Sequence, residues 1–137
     1  MYENILVPVA IDHGPRLRDV LNIARRLRAE GGQITVLTVV EAIPSYVSQY
    51  LPEGQEAATR EAVRSDLEGD LQDAPDILIR IVTGHPGNAI VDFAAAHGVD
   101  CIVMHSHRPG LQDFFLGSTA ARVVRHAPCS VHVVRES

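Results

Sequence analysis

The chain contains no lysine; all twelve of its basic residues are arginine. That single absence excludes a Walker-type phosphate lysine, a Schiff-base lysine and a lysine general base. A bound phosphate would have to meet arginine, backbone amide or hydroxyl. Basic excess is missing too: the formal net charge is −5, which argues against a surface built to neutralise nucleic-acid phosphates, so no nucleic-acid partner is expected. Cysteine is scarce. Cys101 and Cys129 lie far apart with no Cys-x-x-Cys and read as structural thiols of a reducing compartment. No apolar run approaches membrane-spanning length, and no basic leader precedes the first apolar run at Ile5. The expectation is a cytoplasmic protein without a membrane partner.

What remains is an ordinary globular composition, 46% hydrophobic and 21% charged over 137 residues, enough for one packed core and one domain spanning residues 1–137. Ile5 to Ala10 is a continuous apolar run ended by Asp12-His13-Gly14-Pro15, the pattern of a strand buried on both faces. Pro15 suits a first helical position, and Leu17, Val20, Leu21, Ala24 and Leu27 follow at helical spacing until Gly31-Gly32 stops them. Arg16, Arg18, Arg25, Arg26 and Arg28 fill the solvated faces of that helix. Ile34 to Val40 is a second strand, opening into a long loop from Glu41 to Pro52 that holds Tyr46 and Tyr50. A helix is predicted within Glu53 to Leu71, a third strand over Asp76 to Val82, and a helix after His85-Pro86 closed by Gly98. Val99 to Met104 and Ser130 to Val134 are the fourth and fifth strands, with a short helix from Ala120 to His126 between them.

Strands alternating with helices imply βαβ crossovers, hence an α/β fold with an open, mostly parallel sheet covered on both faces. Such sheets bind ligands beyond the carboxyl ends of their strands, where the strand order reverses. The search narrows to Val9–His13, Val39–Glu41 and Met104–Thr119. Gly117-Ser118-Thr119 opens a helix, where unpaired amides, hydroxyls and the positive dipole end converge on an anion; the plain alternative is that Ser118 only caps the helix. Arg108, in the same loop, offers a guanidinium shaped for bidentate phosphate contact. His105 and His107, with Asp12 and His13 across the sheet end, would be the residues of a metal or nucleotidyl-transfer centre, set against simple loop packing. No nucleophile elbow, Walker loop or Gly-x-Gly-x-x-Gly fingerprint is present.

Three stretches carry a resemblance. They are Asn4-Ile5-Leu6-Val7-Pro8-Val9, then Gly84-x-Pro86 with Ile90, and above all Ser106-His107-Arg108-Pro109 through Leu116-Gly117-Ser118-Thr119 to Ser130-Val131-x-Val133-Val134. Over nearly its whole length the chain resembles the universal stress protein family, in a branch whose Ser-His-Arg-Pro loop replaces the first glycines. His105 stands at the first glycine of that family's nucleotide motif, Arg108 at the second, and Ala10 where many members place an aspartate. The resemblance implies a Rossmann-like five-stranded sheet in the order 3-2-1-4-5, of the adenine nucleotide alpha hydrolase kind. It implies ATP or AMP as bound ligand, with Mg2+ as an optional companion, and no catalytic residues. The implied nucleotide site comprises Pro8, Val9, Ala10, Val39, Met104, His105, Arg108, Gly117, Ser118 and Thr119. A homodimer is expected through the fifth strand, where Val131, Val133 and Val134 would otherwise sit on an unpaired edge. The competing readings are a dimeric interaction protein whose site has degenerated and a nucleotide-using enzyme built on the histidines.

Overall fold

Ile5, Leu6 and Val7 are completely buried, which is why the first apolar run does not alternate with polar residues. They belong to β1 (Tyr2–Pro8), the central strand of a parallel sheet. The computed structural model describes residues 1–106 and 116–135. Along that chain β1 is followed by α1 (Arg16–Leu27), β2 (Arg28–Glu41), α2 (Ser45–Ser48), α3 (Gln55–Asp70) and β3 (Ile77–Gly84). Then come α4 (Pro86–Ala96), β4 (Cys101–His105), α5 (Ser118–His126) and β5 (Ser130–Val134). The strand order is β3-β2-β1-β4-β5 with every pairing parallel, as the alternation and the resemblance imply.

Neighbouring residues of each strand point to opposite faces, so the sheet feeds two cores. Ile5, Val7, Ile34 and Val36 pack with Leu17, Val20, Leu21 and Ala24 of α1 and with Val63 and Leu67 of α3. Leu6, Leu37, Ile102 and Met104 pack with Ile90 and Ala94 of α4 and with Ala120 and Val123 of α5. The last two helices approach closely because Gly87 has no side chain. A Cβ built there would lie 2.9 Å from Cδ and 3.1 Å from Cβ of Arg122. The Arg122 guanidinium in turn donates to the Asn88 side-chain carbonyl.

Three expectations about element ends are corrected. Pro15 is the residue before α1, not its first helical residue, with φ −69° and ψ −11°. Arg28 to Gly32 are strand, not helix: Arg28 is already extended at φ −73° and ψ 131°, and the partners of β1 jump from Arg28 opposite Tyr2 to Gln33 opposite Asn4. Gly31 and Gly32 therefore build a bulge rather than a helix stop, and a Cβ on Gly32 would meet the Ala29 and Tyr2 carbonyl oxygens at 2.9 and 3.0 Å. β1 stops at Pro8, so Val9 and Ala10 lie past the strand, although the Val9 amide still donates to the Leu37 carbonyl at 2.9 Å. The helix end at Gly98 is as read, with φ +66° after the last turn.

Cys101 is buried and Cys129 half-buried, and both are free thiols. Burial, chiefly, pushes the Cys101 thiol up to about 11 and raises that of Cys129 as well. Among the described residues no helix is long and apolar enough to cross a membrane.

Candidate functional site

β1 turns to one side to reach β2, and the chain later returns on the other side to β4, so the loops after β1 and β4 diverge and leave a crevice between them. A cleft of about 510 Å³ occupies that place. The end of β1 supplies Pro8, Val9 and Ala10, β2 supplies Val39, β4 supplies Met104 and His105, and the entry of α5 supplies Gly117, Ser118 and Thr119. Nine of the ten residues singled out from the sequence thus line one cavity. The tenth, Arg108, lies outside the described residues, as does His107.

The floor is apolar, since Val9, Val39, Leu37, Ile90 and Met104 end the strands or face them. The α5 entry is polar. Gly117 is its N-cap in extended conformation, and its amide donates to the Ser106 carbonyl at 2.7 Å. No described side chain caps the helix, so Ser118 is not the capping residue and the first-turn amides lack intrahelical acceptors. Ser118 is exposed and Thr119 half-buried. The same turn also borders an adjoining hollow of about 670 Å³, shared with Glu41, His85, Arg122, Arg125 and His126. The α5 entry therefore borders both a largely apolar cleft and a hollow that carries Glu41, Arg122 and Arg125.

Several lining residues were not legible in the sequence. Ile43 follows β2, Glu56 and Thr59 come from the first turns of α3, Arg16 opens α1, and Pro86 opens α4. Glu56 and Thr59 stand three apart on one helix face, a spacing that signals a shared direction but not the cleft it faces. Of the centre considered for the histidines, His107 lies outside the described residues, and the described members His13 and His105 have separate partners. His105 Nε2 faces the Arg16 carbonyl oxygen at 3.3 Å. Buried His13 turns away from His105 to α3, where its Nε2 lies 2.6 Å from Asp70. Among the described residues, Asp12, His13 and His105 do not bring three ligand atoms together.

At the far edge of the sheet, Val131, Val133 and Val134 are half-buried on β5. Val131 packs against the α4–α5 core and Val134 against the α1–α3 core, so both strand faces are partly used within one chain.

Comparison with known proteins adds four findings. A profile described as the universal stress protein family matches residues 1–135. A Thermus aquaticus protein named a universal stress protein is 31% identical over 142 residues, covering 98% of this chain and all of that one. The solved structure of universal stress protein UspA from Lactobacillus plantarum superposes with a TM-score of 0.71 at 29% identity, covering 98% of each chain. A universal stress protein solved in complex with cAMP shares the fold at a TM-score of 0.64 and 23% identity, covering 99% of each chain.

Proposed function

The chain belongs to the universal stress protein family, and from that premise we propose that it is a dimeric module that binds an adenine nucleotide, ATP or AMP, rather than an enzyme. The observation that carries the reading is the position of the α5 entry, which borders both a largely apolar cleft and an adjoining hollow with Arg122 and Arg125. A ligand with a flat apolar base and an anionic tail matches both halves. The purine would lie against Val9, Ala10 and Val39, the ribose beside Met104 and His105, and the phosphates at Gly117, Ser118 and Thr119. Phosphate at a helix N-terminus needs no lysine, which this chain lacks. That a protein of the same fold holds cAMP makes adenine nucleotides the first ligands to test.

Arg108 is assigned to the phosphates on sequence grounds, in place of the backbone contact that a glycine would permit. Loss of a charge-assisted hydrogen bond costs about 1.5–3 kcal/mol, so Arg108→Ala should weaken ATP by roughly tenfold or more and leave adenosine nearly unaffected. Calorimetry against both ligands tests this. Absence of ATP and AMP binding at about millimolar ligand, or ATP binding unchanged by Arg108→Ala, overturns the placement.

Residues 1–137 would act as one domain, paired with a second copy through β5. Two such edges joined antiparallel across a twofold axis would satisfy backbone groups that a lone edge strand exposes. Light scattering that returns the monomer mass of 14.9 kDa at micromolar concentration would refute the dimer. One feature favours a different reading: His105 and Ala10, both in the cleft, stand where nucleotide-binding relatives carry glycine and aspartate. On that reading the cleft is degenerate and the dimer alone is the function. Extraction of the small molecules that copurify separates the two, since adenine nucleotide supports the first and none supports the second.

A further inference from the structure

Four aspartates follow one another along the C-terminal half of α3 and the turn after it, and they are not treated alike. Asp73 receives two hydrogen bonds from Arg18, each 2.9 Å, and Asp76 receives one from Arg28 at 2.9 Å. Asp66 and Asp70, one helical turn apart, have no described guanidinium within ion-pair distance of their carboxylates; Arg18 bonds only the backbone carbonyl of Asp70. Two like charges at this spacing repel each other. What faces them is the imidazole of His13, 7% exposed.

His13 is held from behind. Its Nδ1 lies 3.2 Å from the Ala10 carbonyl oxygen, to which it donates, so Nε2 is aimed at the carboxylates. This is the outer support that metal-ligating histidines use to fix tautomer and ring direction. Nε2 and one oxygen from each carboxylate lie within 4.8 Å of one another. First-row divalent ions bind such atoms at about 2.0–2.2 Å, which sets neighbouring ligand atoms roughly 3–3.5 Å apart, a small adjustment from this arrangement. The 2.6 Å contact between Nε2 and Asp70 requires a proton between them, and a cation would take its place.

We propose that His13, Asp66 and Asp70 form a binding site for a first-row divalent cation of the Zn2+ or Co2+ class, tying the loop after β1 to α3. One imidazole and two carboxylates neutralise the ion, and water completes its shell from the exposed side of α3. Because Ala10 and His13 also line the cleft, a cation here would hold one cleft wall without touching its ligand.

The test uses Co2+ and Zn2+ alone with the whole chain and no nucleotide, so its failure and that of the nucleotide reading remain distinct. Asp66 and Asp70 are exposed, and their replacement by asparagine removes a ligand without opening the core. The parent should bind one Co2+ per chain with a visible absorption band, and Zn2+ should raise its melting temperature. Asp66→Asn and Asp70→Asn should each weaken Co2+ by roughly tenfold or more and remove the thermal shift. The proposal is overturned if the parent binds neither ion at about 1 mM, or if both variants bind like the parent, which would place the metal on other histidines.

Discussion

Gly87→Ala probes the contact that lets α4 and α5 approach closely. The added Cβ would sit 2.9 Å from Cδ, 3.1 Å from Cβ and 3.3 Å from Cγ of Arg122, all closer than ordinary carbon contacts. Cδ can swing aside, although that breaks the bond to Asn88. The Arg122 Cβ is fixed to the α5 backbone, so the helices must part by a few tenths of an ångström. Overpacking of this kind costs about 1–3 kcal/mol, while replacing a helical glycine returns about 0.4–1 kcal/mol through the unfolded chain, leaving a net loss near 1 kcal/mol. Urea unfolding of the parent, Gly87→Ala, Arg122→Ala and the double variant closes the cycle. In the Arg122→Ala background only the 3.1 Å contact survives, so the glycine replacement should cost less there by about 0.5 kcal/mol or more. A control is Gly69→Ala on α3, where a Cβ meets nothing within 4 Å and stability should hold or rise. The reasoning fails if Gly87→Ala is neutral beside an intact Arg122, or if the cycle shows no coupling.

Other outcomes follow from groups already described. Ser118→Ala should leave stability unchanged, because no side-chain cap is lost, and weaken ATP by about threefold to tenfold in a calorimeter, the range for one neutral hydrogen bond. The Arg18 guanidinium holds the Asp73 carboxyl below its usual range, so this pair supports the fold above the ordinary carboxylate range and stops doing so as pH falls through the lowered value. The deficit of Asp73→Asn against the parent should be larger at about pH 7 than at about pH 2.5 in denaturant melts, and a deficit equal at both would contradict the pairing. With its thiol pushed up to about 11, Cys101 should resist iodoacetamide in the native protein and react only on unfolding, which mass spectrometry of the labelled peptides reads directly.

Much of the sheet was legible because its strands are buried on both faces: runs such as Ile34–Val40 and Val99–Met104 have no competing helical period. β5 carries the predicted boundaries, and the αL residue Gly98 ends α4 where its chemistry allows. The start of β2 was hidden by a local ambiguity. Two glycines after a helical stripe signal a stop or a bulge equally well, and only the register opposite Tyr2 decides for the bulge. α2 was lost within the loop because it is only four residues long, Ser45–Ser48 after Pro44, with none of them buried. At the site, strand ends were readable from topology, whereas Glu56, Thr59 and the pairing of His13 with Asp70 depend on how α3 lies across the sheet, which no periodicity records.

The central position of β1 also sets an order for how the chain is made. One edge of β1 pairs with β2 soon after synthesis begins, but the other waits for β4, where Ile5 meets Cys101 and the Asp100 carboxylate accepts from the Glu3 and Asn4 amides. Translation proceeds at about 5–20 residues per second, so from the end of β2 to the end of β4, for roughly 3–13 s, the nascent protein is a half-sheet with one open seam. Leu6 and Leu37, fully dry in the finished fold, face water until α4 and α5 emerge to cover them. A ribosome stalled before β4 would display that seam, which makes the interval the chain's most exposed moment to aggregation and to holding chaperones.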